Sequence, residues 1–252
     1  MQDKVKKVND LYVRWAGKEP SAIDVLQQAG SERRYFRIWQ DGKPIIGAYG
    51  ANIKENESFL YFSDHFYKKG LPVANIYAVS DDKTCYLQED FGTVSLINRL
   101  ESEGYNDKVY NLFKQSLDKL ARLQVEGDKG LDYTKCLTNS EFGRQAIMAD
   151  LLYFKYYFLD ALRKPYDKQK LIDDFEALAS YLTHTDHKFF MFRDFQSRNI
   201  QVDENNAVHF IDYQGGMKGA PQYDVASLLW QARANLPEDW KENLLADYMN
   251  AL

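Results

Sequence analysis

The sequence predicts an α+β fold, in which a β-rich N-terminal part with one long helix is followed by a mostly helical C-terminal part. Short runs rich in β-branched and aromatic residues, punctuated by Gly, Pro and Asp, fill the first part. Apolar residues at helical spacing dominate the second part. The 252 residues, of which 45% are apolar and 27% charged, are enough for two lobes with a sizeable buried core.

The N-terminal part begins with a helical segment over residues 4–16, whose apolar side chains recur at helical spacing. Asp41-Gly42 predicts a tight hairpin turn between two strands. A longer helix over residues 56–69 separates the third strand from the fourth and ends at Gly70. The predicted strands are 22–26, 35–39, 44–49, 75–79 and 84–88.

The sequence changes character near residues 89–93. The predicted division is therefore an N-terminal lobe at 1–90 and a C-terminal lobe at 91–252. The second lobe is predicted to contain helices before and after a short β-hairpin. The helices that precede the hairpin are 96–100, 107–124, 141–162 and 169–183.

Charge and composition argue against several function classes. A net charge of −5 and a pI of about 5.5 disfavour nucleic-acid binding as the main function, because such binding needs a basic surface. Cys85 and Cys136 lack the spacing of a zinc site and are expected to be free thiols in a reducing compartment. The N-terminus lacks an apolar signal region and no apolar run reaches membrane-spanning length, so we expect a cytoplasmic protein without a membrane partner.

The most informative segment begins at Phe192 and contains Asp194 and, five residues later, Asn199. A short strand, an Asp-Glu-Asn-Asn turn and a return strand follow, and the return strand ends in Asp212. This hairpin places Asn199 and Asp212 at the same rim. An Asp that accepts a hydroxyl proton, with an Asn and a second Asp that bind Mg²⁺, forms the acidic half of a kinase-type phosphoryl-transfer site. Ordinary turn residues are the alternative interpretation, which the joint spacing disfavours.

The two motifs, Arg-Asp-Phe-Gln-Ser-Arg-Asn-Ile and Phe-Ile-Asp-Tyr-Gln-Gly-Gly, resemble those of the aminoglycoside phosphotransferase-like kinases. That family includes choline and sugar kinases and shares the protein-kinase fold. The residues of both motifs are most similar to those of the anomeric amino-sugar kinases, which phosphorylate N-acetylmuramate or N-acetylglucosamine at C1. The resemblance spans Gly30 to Trp230 and implies a phosphotransferase that uses ATP and Mg²⁺ and a small-molecule acceptor. It makes Asp194 the catalytic residue, and Asn199 and Asp212 the metal ligands.

Two departures from the family pattern concern the support of this site. Phe192 stands where the family has a His, which leaves open how the catalytic loop is braced. The third strand, 44–49, lacks the lysine expected to bind the phosphates. Either Arg33 or a neighbouring basic residue supplies this charge, or the nucleotide is held through Mg²⁺. Glu57 is the candidate acidic partner, with an ordinary Glu at a helix N-terminus as the alternative.

The nucleotide side is predicted from two further segments. Gly30, Ser31 and Arg33 lie between the first two strands, and the resemblance makes them part of the loop that covers the phosphates. A simple β-turn is the alternative for this segment. Gln88 and Glu89 lie at the predicted lobe joint, where the resemblance implies that main-chain groups bind the adenine edge.

The acceptor side is less well specified by the sequence. The predicted helix 141–162 carries many aromatic residues and Asp150, which suits a sugar ring, although an amphipathic core helix explains the same pattern. Asp224 is predicted to cap a helix, and the resemblance implies that it also braces the catalytic loop.

Two other functions remain open at this point. The missing lysine and Phe192 favour a non-catalytic module that binds nucleotide or sugar, whereas the retained acidic set disfavours it. An aminoglycoside or choline-type kinase is the other alternative within the kinase class. The sequence does not indicate the oligomeric state or distinguish ATP from GTP. The chain ends at Leu252 within a helical pattern, and because such kinases carry further C-terminal helices we expect the natural product to continue.

Overall fold

The computed structural model describes residues 1–27 and 32–252. An antiparallel sheet of five strands, in the order β1-β2-β3-β5-β4, forms the N-terminal part. Its strands are β1 (Ala22–Val25), β2 (Arg34–Gln40), β3 (Lys43–Tyr49), β4 (Ile76–Val79) and β5 (Cys85–Glu89). Each predicted strand is present with boundaries shifted by one residue or so, and the predicted α+β fold class is confirmed.

The helices form two groups. α1 (Gln2–Ala16) and α2 (Ile53–Tyr67) accompany the sheet, and the others follow it in the chain. The later helices are α3 (Leu96–Glu103), α4 (Asp107–Asp128), α5 (Arg144–Phe154), α6 (Lys168–Thr183), α7 (Gln222–Leu229) and α8 (Glu238–Ala251). A π-helical segment, Lys155–Leu159, extends α5. No helix in the described part of the chain is both long and apolar enough to cross a membrane.

The turn between β2 and β3 shows why the sheet forms where the sequence predicts it. Asp41 and Gly42 have φ angles of 50° and 79°, the left-handed pair that a two-residue hairpin turn requires. Strand register then follows, from Gln40 opposite Lys43 to Arg34 opposite Tyr49. The turn therefore sets which residues of β2 face the core.

The two faces of the sheet are covered by different partners. On one face α1 packs Val8, Leu11 and Tyr12 against the sheet in a separate core. Gly47 permits this close approach, because a Cβ there would collide with Val8 Cγ1. On the other face α2 joins the main core that continues into the C-terminal part, where Phe66 lies 4.8 Å from the Phe190 ring. α2 therefore ties the sheet to the region that carries the catalytic motif.

The C-terminal part also contains short antiparallel pairs of three-residue strands, which lie next to α4. β7 (Ile200–Val202) pairs with β8 (Val208–Phe210) as the predicted hairpin. β6 (Phe189–Met191) pairs with β9 (Met217–Gly219), which the sequence analysis did not predict. The two cysteines, Cys85 and Cys136, are buried free thiols.

Candidate active site

The loop between β6 and β7 holds the predicted catalytic residue. Asn199 Nδ2 donates to the Asp194 carbonyl oxygen at 2.9 Å, and the Asn199 amide donates to the Gln196 carbonyl at 2.8 Å. Across the hairpin the Ile211 amide donates to the Asn199 carbonyl at 3.0 Å. Asn199 and Asp212 therefore lie at the same rim, as predicted, with Asp194 tied to Asn199. Because the Asn199 amide nitrogen is used inside the loop, its side-chain oxygen is the atom available to a cation.

Asp224 braces this loop from below. Its fully buried carboxylate accepts hydrogen bonds from the Phe192 amide at 2.8 Å and from the Arg193 amide at 3.0 Å. Gln124 Nε2 donates to the same carboxylate at 3.0 Å. The bracing role is confirmed. The prediction that Asp224 caps the helix is wrong, because Pro221 occupies that position and the Asp224 side chain turns to the loop instead.

Phe192, which replaces the family His, sits in an aromatic cluster. It is fully buried and meets Phe195 at 5.3 Å, Phe210 at 6.0 Å and Tyr213 at 6.1 Å between ring centroids, each in an edge-to-face arrangement. Such aromatic pairs stabilise a fixed geometry beyond their burial. The loop that a His would orient by a hydrogen bond is thus braced here by packing and by Asp224.

The backbone is unusual at the two ends of the site. Arg193 has a φ of 78° and Asp212 a φ of 71°, both in the left-handed region that side chains other than Gly rarely adopt. Non-glycine residues in this region cost on the order of 1 kcal/mol and persist only where the surroundings enforce them. Asp224 enforces the conformation at Arg193. Such strain is typical of functional sites.

Asp194 has the electrostatics of a proton acceptor. Its side chain is open to the solvent. Partial desolvation, and after it the negative charge of Asp212, raise the pKa of Asp194, while Arg198 and Arg193 oppose the shift. A carboxylate with a raised pKa holds a proton more readily, which suits the group that receives the proton of an attacking hydroxyl.

Arg33, the candidate to replace the missing β3 lysine, pairs with an acidic residue of α2. The buried Arg33, just before β2, lies 3.1 Å from the Glu55 carboxylate on α2, and its guanidinium sits 5.3 Å from the Phe59 ring centroid. The prediction of Glu57 as the acidic partner is wrong. Glu57 points to the solvent and pairs with Lys83. Helical geometry separates the two glutamates, since positions two apart face different sides of a helix.

Gln214 connects this ion pair to the rim that carries Asp212. Its Nε2 donates to Asp212 Oδ1 at 2.9 Å and lies 3.4 Å from Glu55 Oε1. The described residues thus form a continuous polar chain from Arg33 through Glu55 and Gln214 to Asp212. Sequence reasoning missed both Glu55 and Gln214. The position of Gln214, two residues after Asp212, was the only local signal for it.

The sequence comparison identifies the group of proteins to which this geometry belongs. The profile of the APH family, described as the phosphotransferase enzyme family, matches residues 28–252. The chain belongs to this family. It is therefore a phosphotransferase, and the prediction of an enzyme of this class is confirmed. No curated protein matches the sequence.

Solved structures of small-molecule kinases share the fold of the phosphotransferase. Choline kinase LicA from Streptococcus pneumoniae matches with a TM-score of 0.66 and 13% identity, covering 97% of this chain and 79% of its own. Aminoglycoside phosphotransferase APH(4)-Ia matches with a TM-score of 0.63 and 16% identity, covering 99% and 83%. An ethanolamine kinase from Plasmodium vivax matches with a TM-score of 0.65 and 14% identity, covering 91% and 67%. At these identities the likeness establishes the protein-kinase-like fold.

In the phosphotransferase, β5 leads to the predicted lobe joint and carries the predicted adenine-binding residues. Gln88 is the central residue of a ladder, opposite Ile46 on one side and Ile76 on the other. The Glu89 amide donates to the Asn75 carbonyl at 2.9 Å. Gly30 and Ser31, predicted to cover the phosphates, lie outside the described residues.

Just beyond β5, an ion pair and a stacked pair of rings connect the N-terminal and C-terminal parts of the phosphotransferase. Arg37 Nε donates to Asp90 at 2.5 Å, and Arg37 Nη2 donates to the other carboxylate oxygen at 3.0 Å and to the Gly92 carbonyl at 3.2 Å. The Phe91 ring stacks on His209 of β8 with centroids 3.9 Å apart. His209 is therefore a packing residue.

The aromatic helix on the acceptor side is not a core helix. Of the α5 residues only Ala146 and Ile147 are buried. Most of its aromatic side chains and those of the π-helical segment are exposed, namely Tyr153, Phe154, Tyr156, Tyr157 and Phe158. Asp150, by contrast, reaches the catalytic loop, where its Oδ1 lies 3.1 Å from Arg193 Nη2. The phosphotransferase therefore brings Asp150 to the site without the surrounding aromatics.

The acidic rim of the phosphotransferase fits a magnesium ion whose remaining ligands come from the substrate. In the ranges that the structure describes, no cluster of three or more His, Cys, Asp or Glu side chains is arranged to hold a metal by itself. Asp212 and Asn199 offer hard oxygen donors, and Asp212 is close enough to raise the pKa of Asp194, a repulsion that a cation would relieve. Mg²⁺ is commonly bound by one or two carboxylates together with phosphates and water.

Proposed function

We propose that the protein is an ATP- and magnesium-dependent kinase that phosphorylates a hydroxyl group of a small molecule, an amino sugar of the N-acetylmuramate or N-acetylglucosamine type. The observation that carries this proposal is the unit formed by Asp194, Asn199 and Asp212, which one loop and one hairpin hold together. Phosphoryl transfer needs little covalent chemistry from the protein, so positioning and charge neutralisation at this unit account for most of the catalysis.

Asn199 and Asp212 are the residues that would hold magnesium, which supplies neutralisation of the triphosphate charge when bound. Asp194 orients the acceptor hydroxyl and takes its proton as the new bond to phosphorus forms. Asp224 keeps the loop that carries Asp194 in its strained conformation. Different residues of the chain thus bind the metal, accept the proton and maintain the conformation of the loop.

On the nucleotide side, we assign the phosphate-binding charge to Arg33. Its ion pair with Glu55 corresponds to the lysine–glutamate pair of protein kinases, although the arginine lies just before β2 and not on β3. Gly30 and Ser31 would cover the phosphates through backbone amides. The main chain at Gln88 and Glu89 would bind the adenine edge. We further propose that 1–90 is the nucleotide-binding lobe and 91–252 the catalytic lobe, and that the enzyme is cytoplasmic.

The amino-sugar assignment is supported by the catalytic motif and by the residues beside it. The motif wording is most similar to anomeric amino-sugar kinases. Phe142 and Tyr223, whose ring centroids lie 5.2 Å apart, adjoin Arg193 and Asp150 on the acceptor side. Aromatic faces with flanking charged groups are the surroundings in which a sugar binds, through its CH groups and hydroxyls.

A coupled assay for ADP formation tests this function across sugars, amino sugars, choline and aminoglycosides, with the product mapped by phosphorus NMR. We expect transfer to an amino sugar. Asp194→Asn should lower kcat by about 10³-fold while Mg·ATP binding and the melting temperature stay unchanged. Near-wild-type turnover by Asp194→Asn would refute the catalytic assignment. Magnesium-dependent ATP binding without transfer to any acceptor would favour a non-catalytic module.

A further inference from the structure

The side chain of Gln88 contains a buried oxygen that the protein itself does not satisfy. Gln88 is 7% exposed, and within the ranges that the structure describes no group donates a hydrogen bond to its Oε1 atom. An unpaired buried acceptor is unfavourable, and the large majority of buried polar side-chain atoms have a partner. The Gln88 amide is therefore a candidate contact for a ligand that donates a hydrogen bond.

Strand geometry places the Gln88 side chain on the face of the sheet opposite α1. Neighbouring residues of a strand face opposite sides of the sheet. Leu87 packs in the α1 core and Tyr86 in the main core, so Gln88 shares the side of Tyr86. At Tyr86 this face is covered by α2, whose Phe59 ring stacks on the tyrosine with centroids 5.2 Å apart. Gln88 lies two residues further along β5, toward the lobe joint.

The neighbours of Gln88 across the sheet form a short row with polar ends and an apolar middle. Ile46 lies directly opposite Gln88, and Arg37 lies opposite Ile46 on the next strand. Ile46 is buried, yet it belongs to neither of the two hydrophobic cores that the described residues form. Arg37 is tied to Asp90 just beyond β5. An apolar surface with one amide at its edge suits a planar ring that carries polar groups on its rim.

We infer that the Gln88 side chain selects adenine over guanine, with Oε1 accepting a hydrogen bond from the 6-amino group and Nε2 donating one to N7. The inference rests on the proposed function, which places the base at the joint that follows β5. A glutamine amide pairs with N6 and N7 of adenine in this bidentate way. The amino group has two hydrogens, so the main chain at the joint can accept the other one.

Guanine presents the wrong groups at the same edge. It carries O6 in place of the amino group and keeps N7, so two acceptors face the amide. Whichever way the amide is turned, its Oε1 then faces an acceptor and stays unpaired. A site built to pair with a polar group of its substrate rejects an analogue that lacks this group, because the buried partner is left unsatisfied. Gln88 therefore disfavours GTP as the phosphate donor.

Binding of three magnesium nucleotides to the whole chain tests this selection without any acceptor. ATP, GTP and 7-deaza-ATP, in which a CH group replaces N7, are compared by isothermal titration calorimetry. We expect the wild-type protein to bind ATP at least tenfold more tightly than GTP and about tenfold more tightly than 7-deaza-ATP. These comparisons use the wild-type protein alone, so they do not depend on how a variant folds.

Gln88→Leu removes both amide groups and keeps a side chain of similar size. It should weaken ATP binding about tenfold, should not weaken GTP binding, and should bind ATP and 7-deaza-ATP equally. General destabilisation would not remove the effect of N7. Gln115→Leu is the matched control, because the Gln115 amide pairs with main-chain groups of Asn206 and Val208. It should keep the wild-type preferences among the three nucleotides.

The results distinguish failure of this selection from failure of the proposed function. Equal affinity of the wild-type protein for ATP and GTP, or for ATP and 7-deaza-ATP, would overturn the inference and leave the kinase proposal intact. The same holds if Gln88→Leu keeps the wild-type preferences. Absence of binding by all three magnesium nucleotides would overturn the kinase proposal, and the inference with it.

Discussion

The catalytic loop and the nucleotide side of this phosphotransferase are supported in contrasting ways. The loop is a local structure, in which Asp194, Asn199 and Asp212 lie within nineteen residues of the chain and are joined by hydrogen bonds inside one loop and hairpin. The polar chain on the nucleotide side is assembled from distant segments. It runs from Arg33 before β2 to Glu55 on α2 and on to Gln214.

This difference shows which parts of a kinase site tolerate substitution. The loop must place an oxygen base and the metal ligands at fixed separations, so its residue types and spacing are constrained together. A positive charge beside the phosphates can come from any strand that reaches the same point. Under the proposed function, Arg33 and Glu55 meet this requirement without a lysine on β3, and Gln214 links Glu55 to Asp212.

Removal of Arg33 is expected to have the largest effect on the nucleotide side. Arg33→Gln should lower kcat/KM for ATP by about 10³-fold, because a cation that neutralises transferring phosphate contributes on that scale. Initial rates at varied ATP concentrations measure this. Arg33→Lys keeps the charge and should recover part of the loss. If Arg33→Gln retains wild-type kcat/KM for ATP, another basic residue neutralises the phosphates. The polar chain from Arg33 to Asp212 would then have only a structural role.

Helix α2 offers a matched pair of glutamates for the same question. Glu55→Gln weakens the ion pair with Arg33 and should reduce kcat/KM for ATP. Glu57→Gln affects only a solvent-exposed pair with Lys83 and should leave kcat/KM for ATP unchanged. Equal effects of the two substitutions would contradict the assignment of Glu55 as the partner of Arg33.

Beneath the loop, Asp224→Ala should cost about 3 kcal/mol of unfolding free energy. The substitution leaves the amides of Phe192 and Arg193 and the side chain of Gln124 without their buried acceptor. For a chain of this length the melting temperature would fall by about 6–12 °C. Turnover should also fall, since the strained conformation at Arg193 loses its support. Calorimetry and kinetics on the same preparation distinguish this brace from a cap, whose loss typically costs about 1 kcal/mol.

The link between the two regions predicts a smaller effect. Gln214→Leu removes the hydrogen bond to Asp212 and should lower kcat about tenfold at limiting magnesium, because the carboxylate is no longer oriented. Saturating magnesium should recover much of the activity. Gln115→Leu is the control, since Gln115 bonds to the Val208 amide on the far end of the hairpin. A magnesium dependence in both variants would show that general loss of stability, not orientation of Asp212, is the cause.

The titration of Asp224 also predicts a pH dependence of stability. Burial raises the pKa of Asp224 to about 7 from an ordinary value of 3.8, although its hydrogen bonds oppose the shift. The folded chain thus holds this proton more tightly than the unfolded chain, so the stability that the group contributes is complete below the ordinary value and is lost as the pH rises through about 7. Urea unfolding at pH 5 and pH 8 should show this loss, and Asp224→Asn should remove that part of it. A stability that rises over this interval because of Asp224 would contradict the assignment.

The sequence by itself predicted the fold class, the succession of strands along the chain and the grouping of Asp194, Asn199 and Asp212 in one loop and hairpin. Local signals sufficed for these, because the Asp41-Gly42 turn sets a register and the spacing from Asp194 to Asp212 sets a hairpin. Residues in the same short segment cannot separate far, so their spacing constrains their geometry. The Asp224 brace and the family assignment followed from the same local motifs.

Only the tertiary structure decided which charges meet. Glu55 and Glu57 are equivalent in the sequence, and their different partners follow from the face of α2 that packs on the core. The aromatics of α5 and the π-helical segment were open to two interpretations, and their exposure depends on neighbours that no local pattern encodes. Asp150 meets Arg193 across 43 residues of chain. Such contacts depend on how whole elements pack, since side chains far apart in sequence become neighbours only when the core between them is formed.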